Sequence, residues 1–105
     1  MLESYYENKL KTSVQKLGHG VRCLKFESPG FSGVPDRIVL LPGGRVVFVE
    51  MKKPGKSERK RQVYVQGLLR ALGFDVFSTV NDLGKIEAVV EHCKEALRDE
   101  GIPTA

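Results

Sequence analysis

The stretch PDRIVLLPGGRVVFVEMK, residues 35–52, constrains the fold more than any other. Two apolar runs flank Pro42-Gly43-Gly44, a triplet that favours chain reversal and interrupts a strand. The pattern predicts an antiparallel hairpin. A three-residue loop would set its register, with Leu41 opposite Arg45, Leu40 opposite Val46 and Ile38 opposite Phe48. Continued outward, that register puts Asp36 opposite Glu50. Side chains alternate along a strand, so Lys52 shares the face of Glu50. Directly paired residues have Cβ atoms about 4.5–5.5 Å apart. Two carboxylates and an ammonium are thereby gathered at the open end of the hairpin. A loop of two or four residues would move Asp36 one step out of line.

The remaining elements follow from periodicity. Leu2, Tyr6, Leu10, Val14 and Leu17 form one stripe of an amphipathic helix that Gly18 stops. Residues 21–26 read as a strand, and ESPGFSG after it as a loop. A helix is expected from about Ser57 to Leu72, with Val65, Leu68, Leu69 and Leu72 inward and Gly73 as its stop. Residues 74–80 form a short apolar strand. Asn81 or Asp82 can cap a last helix over 83–99, with Ile86, Val89, Val90, Cys93 and Leu97 packing on the sheet or on a second subunit. The order is α-β-β-β-α-β-α. The first three strands form an antiparallel meander, and the unit from 46 to 80 is a parallel crossover. Because the hairpin strands are apolar at consecutive positions, both sheet faces are expected to be covered.

At 105 residues, 41% hydrophobic and 29% charged, the chain fits one globular domain spanning 1–105. No apolar run approaches the ~20 residues of a membrane span, and the N-terminus lacks the layout of a signal peptide. Cys23 and Cys93 stand outside any metal-ligand spacing and read as buried thiols in a reducing cytoplasm, with a bridge between them as the alternative. The net charge is +4, unevenly spread. Lys52, Lys53, Lys56, Arg59, Lys60 and Arg61 fall within ten residues, with Glu58 the lone acid among them. The last helix is acidic. A basic block of this kind suits a polyanion, although a solvated helix start has the same composition.

Asp36, Glu50 and Lys52 admit two readings. They can form a salt-bridge cluster at a strand end. Alternatively, the two carboxylates can flank a hard cation such as Mg²⁺, which is commonly held by one or two carboxylates beside water and phosphate oxygens. The Met51 carbonyl lies between Glu50 and Lys52 and could add a ligand. Lys52 could orient or deprotonate an attacking water, or neutralise charge in the transition state. Three other signals carry less. GKS at 55–57 imitates the end of a phosphate-binding loop, but Glu50 stands where that motif needs glycine. His19 and His92 have no partner at metal or catalytic spacing, which points to surface roles. Phe31, at the tip of its loop, could contact DNA or a partner subunit, and Tyr5, Tyr6 and Tyr64 could stack on bases or simply pack.

Gly33-Val34-Pro35-Asp36, the hairpin, and Glu50-Met51-Lys52 resemble the signature of the PD-(D/E)XK nuclease superfamily. The Pro54-Gly55 loop, Gln62 on a helix and Gly73 before the next strand are similar to the virus-type replication-repair nuclease (VRR-NUC) family, over about residues 3–80. One departure is the Glu58-Arg59 step, where that family often has Leu-Ser.

The resemblance implies a restriction-endonuclease-like αβββαβ core, a mixed sheet flanked by helices, here with an extra C-terminal helix. It implies that Asp36, Glu50 and the Met51 carbonyl bind the metal. Lys52 is then the catalytic lysine, Gln62 supports the site, and Glu7 completes it through water, unless Glu7 simply pairs with Lys11 one turn on. Gln66 is a weaker candidate for the role of Gln62. Lys53, Lys56, Arg59, Lys60 and Arg61 would meet flanking phosphates. The expected activity is a Mg²⁺-dependent, structure-specific DNA endonuclease, with Mn²⁺ able to substitute. Its substrates would be Holliday junctions or flaps, its products 5′-phosphate and 3′-hydroxyl ends. A homodimer working in the cytoplasm, that of the host cell if the chain is phage-encoded, completes the expectation. A sequence-tolerant nicking or restriction-type nuclease and a non-catalytic DNA-binding module are the alternatives.

Overall fold

The computed structural model describes residues 2–104, with side chains from 4 to 104. Its elements run α1 (Leu2–Gln15), β1 (Arg22–Lys25), β2 (Arg37–Leu41), β3 (Arg45–Met51), α2 (Lys60–Ala71), β4 (Asp75–Val80) and α3 (Leu83–Asp99). The four strands form one mixed sheet in the order β1-β2-β3-β4. The first three are antiparallel, and β4 runs parallel to β3. The hairpin takes the expected register: Leu41 pairs with Arg45, Leu40 with Val46 and Ile38 with Phe48. Pro42–Gly44 make a single 3₁₀ turn in which Gly43 has φ 80°, a conformation open to glycine at little cost.

One sheet face is sealed. α1 and α3 lie across it, and Leu10, Val14, Val89, Cys93 and Leu97 are fully buried against Cys23, Val39, Val47 and Val49. The stripe read in α1 is the buried one from Tyr6 to Leu17; the side chain of Leu2 lies outside the described residues. The α3 stripe goes to this core within the chain. Asp82 is its N-cap, accepting from the Lys85 N–H at 2.8 Å. Both cysteines are buried and free. Burial pushes the Cys93 thiol up to about 12 and raises that of Cys23.

The opposite face departs from expectation. Phe48 is buried there between Phe26 and Phe74, but Leu24 and Leu40 remain 45% and 36% exposed. α2 covers the β4 side and leaves β1 and β2 open. α2 also starts later than expected, at Lys60, and is turned about its axis. Its inner positions are Gln62, Val65, Gln66 and Leu69, while Leu68 and Leu72 point outward, Leu72 being 75% exposed. Two glutamines occupy inner positions, so the apolar residues alone misstate which side faces the sheet.

β3 and β4 keep step from Val47/Asp75 to Val49/Phe77, then slip so that Met51 meets Val80. Ser78 and Thr79 therefore share the place opposite Glu50, a bulge of one residue. Thr79 has φ 52°, which is costly for a β-branched residue. No helix among the described residues is long and apolar enough to cross a membrane.

Candidate active site

The hairpin's open end, the loop after β3 and the start of α2 converge on one cleft of about 450 Å³, bordered by Asp36, Glu50, Met51, Lys52, Lys53, Lys56, Ser57, Arg59 and Gln62. A second cleft of about 490 Å³ lies between α1 and α3 and includes Leu17, Val90 and Pro103 in its lining, with none of the hairpin residues.

Asp36 sits just ahead of β2. Its Oδ1 accepts the Met51 N–H at 2.9 Å, which ties the acid across the hairpin beside Glu50. Glu50, the penultimate residue of the apolar strand β3, is 4% exposed. Its Oε2 accepts from Gln62 Nε2 at 3.2 Å and lies 3.5 Å from Lys52 Nζ. Its Oε1 is buried with no hydrogen-bond partner.

Gln62 is the hub. Its Oε1 accepts from Lys52 Nζ at 2.9 Å and from the Arg59 N–H at 2.9 Å, while its Nε2 serves Glu50. Two donors on one side and a carboxylate on the other admit one amide orientation. The Arg59 contact is the backbone half of a capping box; a guanidinium has no acceptor with which to make the other half.

Glu58 is the residue that sequence reasoning passed over. Its side chain is 10% exposed, with Oε2 3.6 Å from Lys52 Nζ. Oε1 accepts from Gln66 Nε2 at 3.0 Å and from the Thr79 N–H at 3.2 Å. Glu58 thus links the loop before α2 to the bulge opposite Glu50. The available signal was its position as the single acid in the basic run. Gln66, 3% exposed, is the buried arm of this link.

Two carboxylates, those of Glu50 and Glu58, share the Lys52 ammonium, and Asp36 adds a third negative charge beside Glu50. Burial, and then the charge of Asp36, push Glu50 up to about 7 against the opposing pull of Lys52. Burial also raises Asp36, opposed chiefly by the Met51 N–H. An excess of buried negative charge and an orphaned oxygen suit an added cation. The donors are all oxygens, which suits a hard one. Among the described residues no group of three or more His, Cys, Asp or Glu side chains converges to hold a metal. A cation here would therefore rest on Asp36, Glu50 and backbone or water oxygens.

Other expected residues fall variously. Glu7 pairs with Arg37 at 3.3 Å rather than with Lys11. Arg37 alternates with Asp36 and so points to the α1 side of the sheet. The charge of Glu7 nevertheless contributes to raising Asp36. Lys53, Lys56 and Arg59 border the cleft, whereas Lys60 does not. Arg61 is engaged elsewhere, donating from Nε to the Ser32 carbonyl at 2.9 Å. His92, with no partner at metal or catalytic spacing in the sequence, meets Asp75 Oδ2 at 3.0 Å and packs on Phe77, contacts that the fold creates between α3 and β4.

No protein-family model matches the chain. It is 45% identical over 74 residues, 70% of its own length and 77% of the relative's, to "Putative nuclease p44" of Acyrthosiphon pisum secondary endosymbiont phage 1. A solved structure described as a VRR_NUC domain has a TM-score of 0.77 at 28% identity, covering 88% of this chain and 97% of that one. With the hairpin register, the mixed sheet and a nuclease relative in agreement, the chain belongs to the VRR-NUC family of PD-(D/E)XK nucleases.

Proposed function

We propose that the chain is a Mg²⁺-dependent endonuclease that hydrolyses phosphodiester bonds of branched DNA, Holliday junctions or flaps, as a homodimer in the cytoplasm of a phage host. The observation that carries this reading is Glu50: buried, beside Asp36, with Oε1 unpartnered and Oε2 held by Gln62. In this reading residues 1–105 act as one module. Asp36, Glu50 and the Met51 carbonyl hold the cation, with Glu7 an outer, water-mediated acid. Mn²⁺ can take the same oxygens. The bound cation would polarise the scissile phosphate and offset its charge.

The protein's own groups do the rest. Lys52 is aimed by Gln62 and flanked by Glu50 and Glu58, so its ammonium sits beside the acids instead of in solvent. There it can orient the attacking water and neutralise charge that develops on the phosphate. Gln62 holds both Lys52 and Glu50 through its amide. Lys53, Lys56 and Arg59 border the cleft and can meet phosphates on either side of the cut, a sequence-independent contribution. Lys60 and Arg61 extend that basic surface. A domain this small offers little area to hold a four-way junction, and a symmetric pair would present two sites to two strands.

The test is cleavage of labelled junction, flap and linear duplex with Mg²⁺ or Mn²⁺. Wild type should cut branched DNA and stop in EDTA. Lys52→Ala and Glu50→Ala should each lose activity on the order of 10²–10⁴-fold. Full activity in Lys52→Ala would sink the mechanism. Equal cutting of linear duplex would favour a nicking or restriction-type enzyme, and binding without any cutting a non-catalytic module. A monomeric mass at micromolar concentration, with and without junction DNA, would remove the dimer.

A further inference from the structure

The loop that precedes Gly33 is fastened to α2 by one side chain. Arg61 donates from Nε to the Ser32 carbonyl at 2.9 Å. Its stem crosses Gly33 so closely that a Cβ there would lie 2.7 Å from Arg61 Cγ, and Gly33 has φ 91°. The guanidinium carbon then sits 4.6 Å from the centroid of the Phe31 ring and 5.4 Å from that of Tyr64. Fastening the loop accounts for the hydrogen bond and for Gly33. It does not account for two large aromatic rings kept in water around the cation, Phe31 43% and Tyr64 57% exposed.

The placement of the three side chains is informative. Arg61 directly precedes Gln62, and Phe31 lies five residues before Asp36. Chain reach alone limits the Phe31–Asp36 separation to about 18 Å, a few nucleotides of DNA. Exposed aromatic faces combined with an arginine are the elements on which unpaired bases stack. Bases inside a continuous duplex are already stacked on one another and cannot use such a surface.

We infer that Phe31, Arg61 and Tyr64 form a stacking subsite for an unpaired base within a few nucleotides of the cut. The inference rests on the nuclease reading and adds to it the feature of the DNA that is recognised: a strand opening beside the scissile phosphate. The rings supply the stacking surface, and the guanidinium holds them in place while adding positive charge for the adjoining phosphate.

The experiment uses the full chain in Ca²⁺, so that binding can be read apart from cutting. The probes are a forked duplex with unpaired arms and a fully paired duplex of the same length, and a second fork with 2-aminopurine in the unpaired arm next to the branch. Wild type should prefer the fork and quench the 2-aminopurine. In Phe31→Ala/Tyr64→Ala the ratio of duplex Kd to fork Kd should fall about tenfold, within the range for loss of base–aromatic stacking. Phe31→Tyr and Tyr64→Phe should restore it. An unchanged ratio in the double alanine variant overturns the subsite, as does absence of quenching by wild type, a measurement that needs no variant. If wild type cuts in Mg²⁺ but the ratio never changes, the subsite fails and the nuclease reading stands. If fork preference depends on the rings but nothing is cut, the nuclease reading fails and the subsite stands.

Discussion

Under α1 and α3, Cys23, Val39, Val47, Val49 and Met51 are each at most 2% exposed, whereas on the other face Leu24 and Leu40 are 45% and 36% exposed. On that second face the strand β3 ends in Glu50, and α2 reaches only part of the sheet. The same hairpin supplies both faces, residue by residue in alternation. The sealed face is where the chain gains its stability from burial. The partly covered face is where charged groups can sit close together, because neighbouring polar groups and solvent at the cleft mouth lower the cost of keeping them. The proposed site lies on the face with the incomplete cover.

The largest effect should come from the sealed face. Leu97 is fully buried in α3 against α1 and the sheet. Leu97→Ala should destabilise the protein by about 2–5 kcal/mol, the range for truncating a buried leucine, read by urea unfolding. A loss below ~1 kcal/mol would mean that this face is loosely packed, and the contrast between the faces would break.

The next effect belongs to the charged face and concerns pH. Glu50, held up at about 7, is raised from its ordinary 4.5. Below the ordinary value the carboxyl is protonated in folded and unfolded chains alike, and its favourable contribution is complete. As pH rises through 4.5 toward 7 the unfolded chain releases the proton first, so metal-free stability falls, by on the order of 3 kcal/mol. Asp36 shifts in the same direction. In EDTA, wild type should lose stability across this window relative to Glu50→Gln. Millimolar Mg²⁺ should recover much of the loss by binding the folded form. Equal pH profiles for the two proteins would show that Glu50 is not the strained group.

Much of this contrast was readable beforehand, and the limits are instructive. The hairpin register followed from a three-residue loop and a period of two, so Asp36, Glu50 and Lys52 were placed together from sequence. The α3 stripe was likewise plain, since every inward position is apolar or cysteine. The apolar count assigns α2 the wrong inner face, because Gln62 and Gln66 take inner positions against Lys52, Glu50 and Glu58 and polarity hides them from such a count. The run of apolar residues in β2 and β3 suggested two covered faces, yet coverage depends on where α2 lands. Glu58 and Thr79 could not be paired in advance, because the bulge that joins them is a tertiary event 21 residues apart in sequence.

That bulge allows a smaller test. Thr79 is held in the left-handed region with its N–H on Glu58 and its carbonyl on Lys85 Nζ, at 3.2 and 3.1 Å. A threonine there costs roughly 1–2 kcal/mol, while glycine gives back part of that in the unfolded chain. Thr79→Gly should therefore stabilise the fold by about 0.5–1 kcal/mol. Cleavage should fall if the bulge holds Glu58 against Lys52. A destabilised Thr79→Gly would mean that the side chain, not the backbone, secures this position.

The smallest effect should come from the open part of the second face. Leu24 in β1 already leaves nearly half its surface in water, 45%. Leu24→Thr removes little burial and puts a β-branched residue, favoured in strands, at a surface position. Its cost should stay within about 0.5 kcal/mol. The measurement is urea unfolding at several protein concentrations, because a face left open in one chain can be closed by a second. A small cost independent of concentration keeps the two faces distinct in solution. A cost that approaches that of Leu97→Ala and grows with concentration would mean that the assembled protein covers this face. The cleft would then be the only part of the sheet still open to DNA.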